Sequence, residues 1–239
     1  MKLDTLFFSA HPDDVELSCS GTILKLIKEG KKVGVVDLTR GELSTRGNPE
    51  IRAKETKEAS EILSLSVREN LRLEDGYFEI NDKSVKSVIK VIRKYQPKTI
   101  FSNAIRDRHP DHGRGAELLK KAVFLSGLTK IELKDDHGKE LTSWRPAQHF
   151  HYIQNDYIEP DFVIDISEHW EDRMKSVYAY ASQFFNSNSR EPETHISSER
   201  FIKFIEARAR EMGNKIGVEF GEGFTSDRVI GLSQLRDLI

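Results

Sequence analysis

Short apolar runs alternate with longer amphipathic segments through the first half of this chain, and that alternation restricts its fold more than any other feature. Thr5 to Ala10, Lys32 to Leu38 and Thr99 to Ser102 read as buried strands. Val15 to Glu29 reads as a helix with Ile23, Leu24 and Ile27 on its apolar positions, and Asn48-Pro49 as an N-cap and first turn opening a helix to about Leu63. A helix over Asp82 to Tyr95 places Val85, Val88, Ile89 and Ile92 on one face, with Pro97 as its stop signal, and Gly113 to Ser126 forms another. Strands separated by helices cannot pair as hairpins. They predict an α/β fold with a mostly parallel sheet covered by helices on both faces.

The second half is less regular. Phe150 to Ile153 and Phe162 to Ile166 read as strands, Ser167-Glu168 opens a helix reaching Phe184, 186–192 is a polar loop, and Ser197 caps a helix ending near Met212-Gly213. No repeat, low-complexity tract or linker divides the chain, so 1–239 is expected to form a single domain with an irregular C-terminal part. Lys+Arg 37 nearly balances Asp+Glu 39, which leaves no net basic field for a nucleic-acid partner. No membrane-length apolar stretch and no signal-peptide core are found, so a cytoplasmic location is expected. The single cysteine, Cys19, excludes a disulfide framework and a cysteine-rich zinc site, and reads as a small buried hydrophobe.

Two runs carry the chemistry: His11-Pro12-Asp13-Asp14 and His109-Pro110-Asp111-His112. Each follows a predicted strand, and in open parallel sheets ligands gather beyond the strands' carboxyl ends. Residues far apart in sequence therefore converge on one crevice. Zinc accepts imidazole nitrogen and carboxylate oxygen, and a catalytic site keeps three protein ligands and one position for water. The candidate ligands are His11, Asp14 and His112; iron(II) tolerates the same set. Such an ion lowers the pKa of its water to about 7. Asp13, beside the metal, is the candidate general base that passes the water's proton to a leaving amine. His109 as an imidazolium is the candidate oxyanion stabiliser, and Asp111 the carboxylate that sets the tautomer of one of the imidazoles.

Other polar residues have plainer readings beside functional ones. Arg108 is either a surface cation or faces an anionic substrate, and Arg52 in isolation is a solvated helical arginine. His149 and His151 alternate on a strand and are expected to be structural or partly exposed, while His137, His169 and His195 have no identifiable partners. The Glu193-Thr194 region is either a lid or an ordinary loop.

Ala10-His11-Pro12-Asp13-Asp14-Val15-Glu16 with Gly21-Thr22, and later Arg106 to His112, resemble the LmbE-like (PIG-L) N-acetylglucosamine deacetylases. The resemblance extends to Asp37 to Leu43, Ile51-Arg52, Pro160 to Ile166 and Ile216 to Glu219, and so spans most of the chain. Within the family it looks most like the deacetylase of bacillithiol biosynthesis. It implies a Rossmann-like, zinc-dependent, homo-oligomeric hydrolase acting on a small amino-sugar conjugate, most closely N-acetyl-glucosaminyl-malate. It places metal ligands on His11, Asp14 and His112, the base on Asp13, the oxyanion histidine on His109 and a substrate-side arginine on Arg52. Ser20 replaces the first glycine of a pair that often closes the first motif.

Two rivals are weighed against this. A deacetylase of another N-acetylglucosamine conjugate, or of chitooligosaccharides, fits the same residues. A non-catalytic nucleotide- or metal-binding module fits less well. The first strand is followed by Ser9-Ala10-His11-Pro12 rather than a phosphate-cradling Gly-x-Gly-x-x-Gly, and adjacent carboxylates there repel phosphate. A structural zinc takes four protein ligands, which leaves the spare Asp13 unexplained.

Overall fold

A computed structural model describes residues 1–184, 191–232 and 234 of the chain. Seven strands, β1 (Thr5–Ser9), β2 (Val33–Asp37), β3 (Val67–Asn70), β4 (Thr99–Ser102), β5 (Gln148–Tyr152), β6 (Phe162–Asp165) and β7 (Gly221–Ser226), form one sheet in the order β3-β2-β1-β4-β5-β7-β6. The helices are α1 (Asp14–Ser18), α2 (Ser20–Lys28), α3 (Pro49–Ile62), α4 (Asp82–Tyr95), α5 (Pro110–Ser126), α6 (Trp170–Tyr178) and α7 (Glu199–Ile216). Strands β1 to β5 run parallel to one another, and β7 is antiparallel to both its neighbours, β5 and β6. The α/β expectation holds, with the parallel sheet wound on both faces. No helix among the described residues is long and apolar enough to cross a membrane.

Every residue of β1 and β2 is buried, as a strand covered on both faces requires. Alternate residues serve opposite layers. Leu6, Phe8 and Val36 pack with Val88, Ile92, Leu118 and Leu119 of α4 and α5. Phe7 and Val35 pack with Val15, Cys19 and Ile23, and Phe7 stacks on Phe101 at 4.6 Å. The chain lays down β2 and β3 on one side of β1, then returns to place β4 and β5 on the other. The gap between the ends of β1 and β4 is thus the topological switch point.

Three expected helices are corrected, and two strands were not foreseen. The helix expected over 15–29 breaks at Cys19 (φ −153°), and the freed N–H groups of Gly21 and Thr22 donate to the buried Glu222 carboxylate at 3.0 and 2.7 Å. Glu222 is held in turn by Arg173 Nε at 3.0 Å. The helix expected to reach Phe184 ends at Tyr178, and the late helix is capped by Ser198 rather than Ser197 and runs on to Ile216. Strand β3, Val67-Arg-Glu-Asn70, was not expected because it lacks an apolar run. It pairs with β2 at the sheet edge, and Arg68 reaches inward to Asp37 (2.9 Å) and Glu16 (2.5 Å). Strand β7 was hidden by its glycines. A Cβ on Gly221 would lie 2.6 Å from Val163 Cγ1 and one on Gly223 2.9 Å from Met212 Sδ, so tight packing there selects glycine over the usual strand formers. The polar loop expected over 186–192 lies largely outside the described residues.

Candidate active site

Both histidine runs leave the carboxyl ends of adjacent central strands. After β1 the chain folds back on itself: His11 N–H donates to Asp14 Oδ2 at 2.9 Å and Asp14 N–H to the His11 carbonyl at 3.3 Å. Between them Asp13 adopts φ 115°, a left-handed conformation that costs a non-glycine residue about 1–3 kcal/mol and persists only where its surroundings impose it. Here Leu17 N–H bonds the Asp13 carbonyl (2.9 Å), and Arg52 Nη1 bonds both the Pro12 carbonyl (2.5 Å) and Asp13 Oδ2 (3.2 Å). After β4, His109 caps α5 by accepting the Asp111 N–H on Nδ1 at 3.3 Å. Pro110 sits in the first turn, which directs His112 back toward β1.

The result is a compact polar floor. His112 Nε2 lies 3.1 Å from Asp14 Oδ1, and His11 Nδ1 3.6 Å from Asp14 Oδ2. Ligand atoms of His11, His109 and His112 lie within 4.8 Å of one another. The far nitrogens of His11 and His112 each face a carboxylate. His11 Nε2 is 3.0 Å from Asp75 Oδ1 and 3.4 Å from Asp111 Oδ2, and His112 Nδ1 is 2.5 Å from Asp107 Oδ2. That pattern fixes a ring proton on each outer nitrogen, so that a metal displacing the inner proton would meet the lone pairs of His11 Nδ1 and His112 Nε2 on Asp14's side. The outer carboxylates are themselves fixed: Leu43 N–H donates to Asp75, Gly76 N–H and Arg114 to Asp111, and Asp156 N–H to Asp107.

The charges call for a cation. Asp13, Asp14, Asp75 and Asp111 are buried and Asp107 half-buried, while among the described residues Arg52 and Arg114 are the only arginine or lysine side chains bonded directly to any of these five. Burial opposes an imidazolium at His11, yet hydrogen bonds to Asp111, Asp14 and Asp75 hold its pKa well above the ordinary value. The His112 imidazole likewise rises to about 9 against burial, through the charge of Asp14 and the bond to Asp107. Asp14 goes the other way: the two imidazoles outweigh burial and hold it well below the carboxylate range. Two imidazoliums here supply the charge that one divalent ion would. The donor set of two nitrogens and one carboxylate therefore fits a metal such as zinc.

Asp13 lies beside this set and is raised to about 7, chiefly by burial, with Arg52 pulling it down and Asp14 pushing it up. His109 is lowered by burial and by the charges of His11 and His112, which favours the neutral ring over the imidazolium expected from sequence. Its Nδ1 is taken as a hydrogen-bond acceptor, so the neutral ring carries its proton on Nε2. Arg52 is buried and turned onto Asp13 and Ser44, whereas Arg108 is exposed and no side-chain bond of it is found among the described residues.

These groups floor a cavity of about 370 Å³. Its far wall is apolar, formed by Phe201, Phe204, Ile205 and Met212 of α7, and Arg108 and Arg208 also line it. Arg208 donates to the carbonyls of Gln154 and Asn155, and Gln154 donates to Asp14 at 3.2 Å. Sequence reading missed Asp75, Asp107, Gln154 and Asn103, whose Nδ2 lies 2.9 Å from Asp14. Asp107 stands within the Arg106 to His112 segment and was visible there. Asp75 and Gln154 belong to no motif.

Residues 6–123 match the family described as PIG-L, GlcNAc-PI de-N-acetylase. The conserved protein TT1542 from Thermus thermophilus superposes with a TM-score of 0.86 at 33% identity, covering 98% of both chains. N,N'-diacetylchitobiose deacetylase from Pyrococcus horikoshii gives 0.79 at 26% identity, covering 98% of this chain and 88% of that one. The diacetylchitobiose deacetylase of Thermococcus kodakarensis is 28% identical over 189 residues, 75% of this chain and 69% of that protein. With the family match over the motif-bearing half and whole-chain similarity to these proteins, the chain belongs to the PIG-L (LmbE-like) deacetylase family.

Proposed function

We propose that this chain hydrolyses the acetamide of an N-acetylglucosamine conjugate, with N-acetyl-glucosaminyl-malate of bacillithiol biosynthesis as its substrate. One observation carries the reading: a buried carboxylate, Asp13, held by Arg52 beside a two-histidine, one-carboxylate set. A divalent ion held by His11, Asp14 and His112 supplies a Lewis acid and an activated water. Asp13, with its pKa near 7, accepts the proton of the attacking water and delivers it to the departing amine. The His109 Nε2–H donates to the oxyanion as the carbonyl becomes tetrahedral. It does so as a neutral donor, which needs no proton from solvent. Asp75, Asp111 and Asp107 keep the two ligating rings in the required tautomers.

The malate assignment rests on charge. Arg108 lines the cavity with no side-chain bond among the described residues, and a planar fork suits a carboxylate. Arg52 lines the same cavity, but its donors are directed to Asp13, Pro12 and Ser44, so its part is to position the base. A second reading, deacetylation of N-acetylglucosamine oligomers, is favoured by the relatives named as diacetylchitobiose deacetylases. The test is release of free amine from N-acetyl-glucosaminyl-malate and from N-acetylglucosamine oligomers at equal metal loading, with Asp13→Asn alongside. Asp13→Asn is expected to retain metal and to lose roughly a hundredfold or more in turnover. Near-normal turnover in a metal-replete variant removes Asp13 from the reaction, and a preference for the oligomers replaces malate with the second reading.

A further inference from the structure

Beyond the cavity, a second group of metal-ligating side chains lies between β5, β7 and α5. His149 and His151 are two apart on β5 and so project from the same face of the sheet, their rings 4.5 Å apart. Asp227 follows directly on β7, one residue past the Ser226–Phe150 register pair, which brings it alongside His149. One ligand atom from each of the three lies within 4.8 Å of the others. None of the three lines the cavity over the first site.

The hydrogen bonds around His151 resemble those of a ligand awaiting its ion. Its Nδ1 lies 3.0 Å from the Asn103 carbonyl, which can only accept, so the ring proton is on Nδ1 and the lone pair on Nε2. That Nε2 is buried with no hydrogen-bond partner, on a residue only 2% exposed, and it faces Asp227 Oδ2 at 3.9 Å. A buried, unpaired nitrogen costs stability unless something satisfies it. His149 is oriented by Ser102, whose Oγ lies 2.8 Å from its Nε2. The exposed Asp227 opens the group to solvent, and its other oxygen is held by Lys120 Nζ at 3.1 Å.

We propose that His149, His151 and Asp227 form a second divalent-metal site, separate from the first. Two imidazoles and one carboxylate suit zinc or another borderline transition ion rather than calcium or magnesium. An ion there ties the last parallel strand to the end of the reversed one, and so fastens the sheet where its direction changes. Lys120 competes with it for Asp227.

The experiment titrates the chelator-stripped full chain with Zn²⁺ by calorimetry and counts bound zinc after dialysis. The parent is expected to bind two equivalents and His112→Ala one. Adding Asp227→Asn or His149→Gln to the His112→Ala chain should weaken the remaining equivalent by more than the roughly 10- to 100-fold that loss of an outer hydrogen-bond partner costs. Asp227→Asn changes an exposed residue, so it tests the site without disturbing the core. Lys120→Ala should tighten the same equivalent. A parent that binds a single equivalent at micromolar zinc overturns the proposal. So does a second equivalent indifferent to Asp227→Asn and His149→Gln.

Discussion

Arg52 sets the ionisation of Asp13, and removing its charge is the sharpest test of the proposed base. The two side chains are almost completely buried, with Nη1 3.2 Å from Oδ2. For charge centres about 4 Å apart in an effective dielectric of about 20, the attraction is about 4 kcal/mol, the equivalent of roughly 3 pKa units. Water entering the vacated space offsets part of that, so Arg52→Gln should raise Asp13 by about 1–2 units, within the range seen for carboxylates beside arginine. The base works only when ionised, so its activity is lost as pH falls through its pKa. At the parent's own midpoint that shift leaves about five- to fiftyfold less ionised Asp13, and about two units above that midpoint the variant comes within about twofold of the parent. The assay is kcat/KM for acetate release from pH 5.5 to 9.5, on metal-replete protein whose fold is checked by circular dichroism. A bound cation displaces both profiles alike, so the difference between them isolates Arg52. Arg52→Lys keeps the charge and should keep the acid limb in place. An unmoved limb in folded Arg52→Gln, or a loss equal at every pH, would refute the argument.

Asp107→Asn removes the acceptor for His112 Nδ1 and should weaken metal binding by roughly 10- to 100-fold in a chelator competition; unchanged affinity would show that His112 needs no such partner. Arg108→Ala should lower kcat/KM about ten- to hundredfold on the malate conjugate, an expected cost of about 1.5–3 kcal/mol, and leave a neutral N-acetylglucosamine derivative untouched. Equal losses on both would make Arg108 structural. Glu222→Ala strands the buried Arg173 and uncaps α2, and should cost about 3–5 kcal/mol in urea unfolding; a cost below about 1 kcal/mol would mean the network relaxes without it.

How much could be read beforehand depended on where each signal lies in the chain. The parallel sheet was legible because β1 and β2 are buried on both faces and so are written as unbroken apolar runs. The late strand β7 was not, since contact with Met212 and Val163 demands glycine where the eye looks for valine. Likewise β3 is an edge strand whose arginine serves a buried ion network, and its composition is that of a loop. In the site, His11, Asp14 and His112 announce themselves because two tight turns each need their residues adjacent. Asp75 and Gln154 contribute through the packing of distant segments, which leaves no local pattern. Arg52 was visible by resemblance, but its partner was not: only the folded turn shows that it grips Asp13 and the Pro12 carbonyl.

The placement of the first site at the switch point also dictates an order of events during folding. His11 and Asp14 follow β1, while His112 arrives only after β2, β3 and α4 have been laid down and β4 has paired with β1 in the register Thr5–Thr99. A nascent chain therefore carries two of the three proposed ligands until His112 has been made. Metal has no purchase on the early steps and acts afterwards, by mass action on the finished sheet. On the reading proposed above, protein made without the ion is expected to fold without activity and to regain it when the ion is added, without refolding.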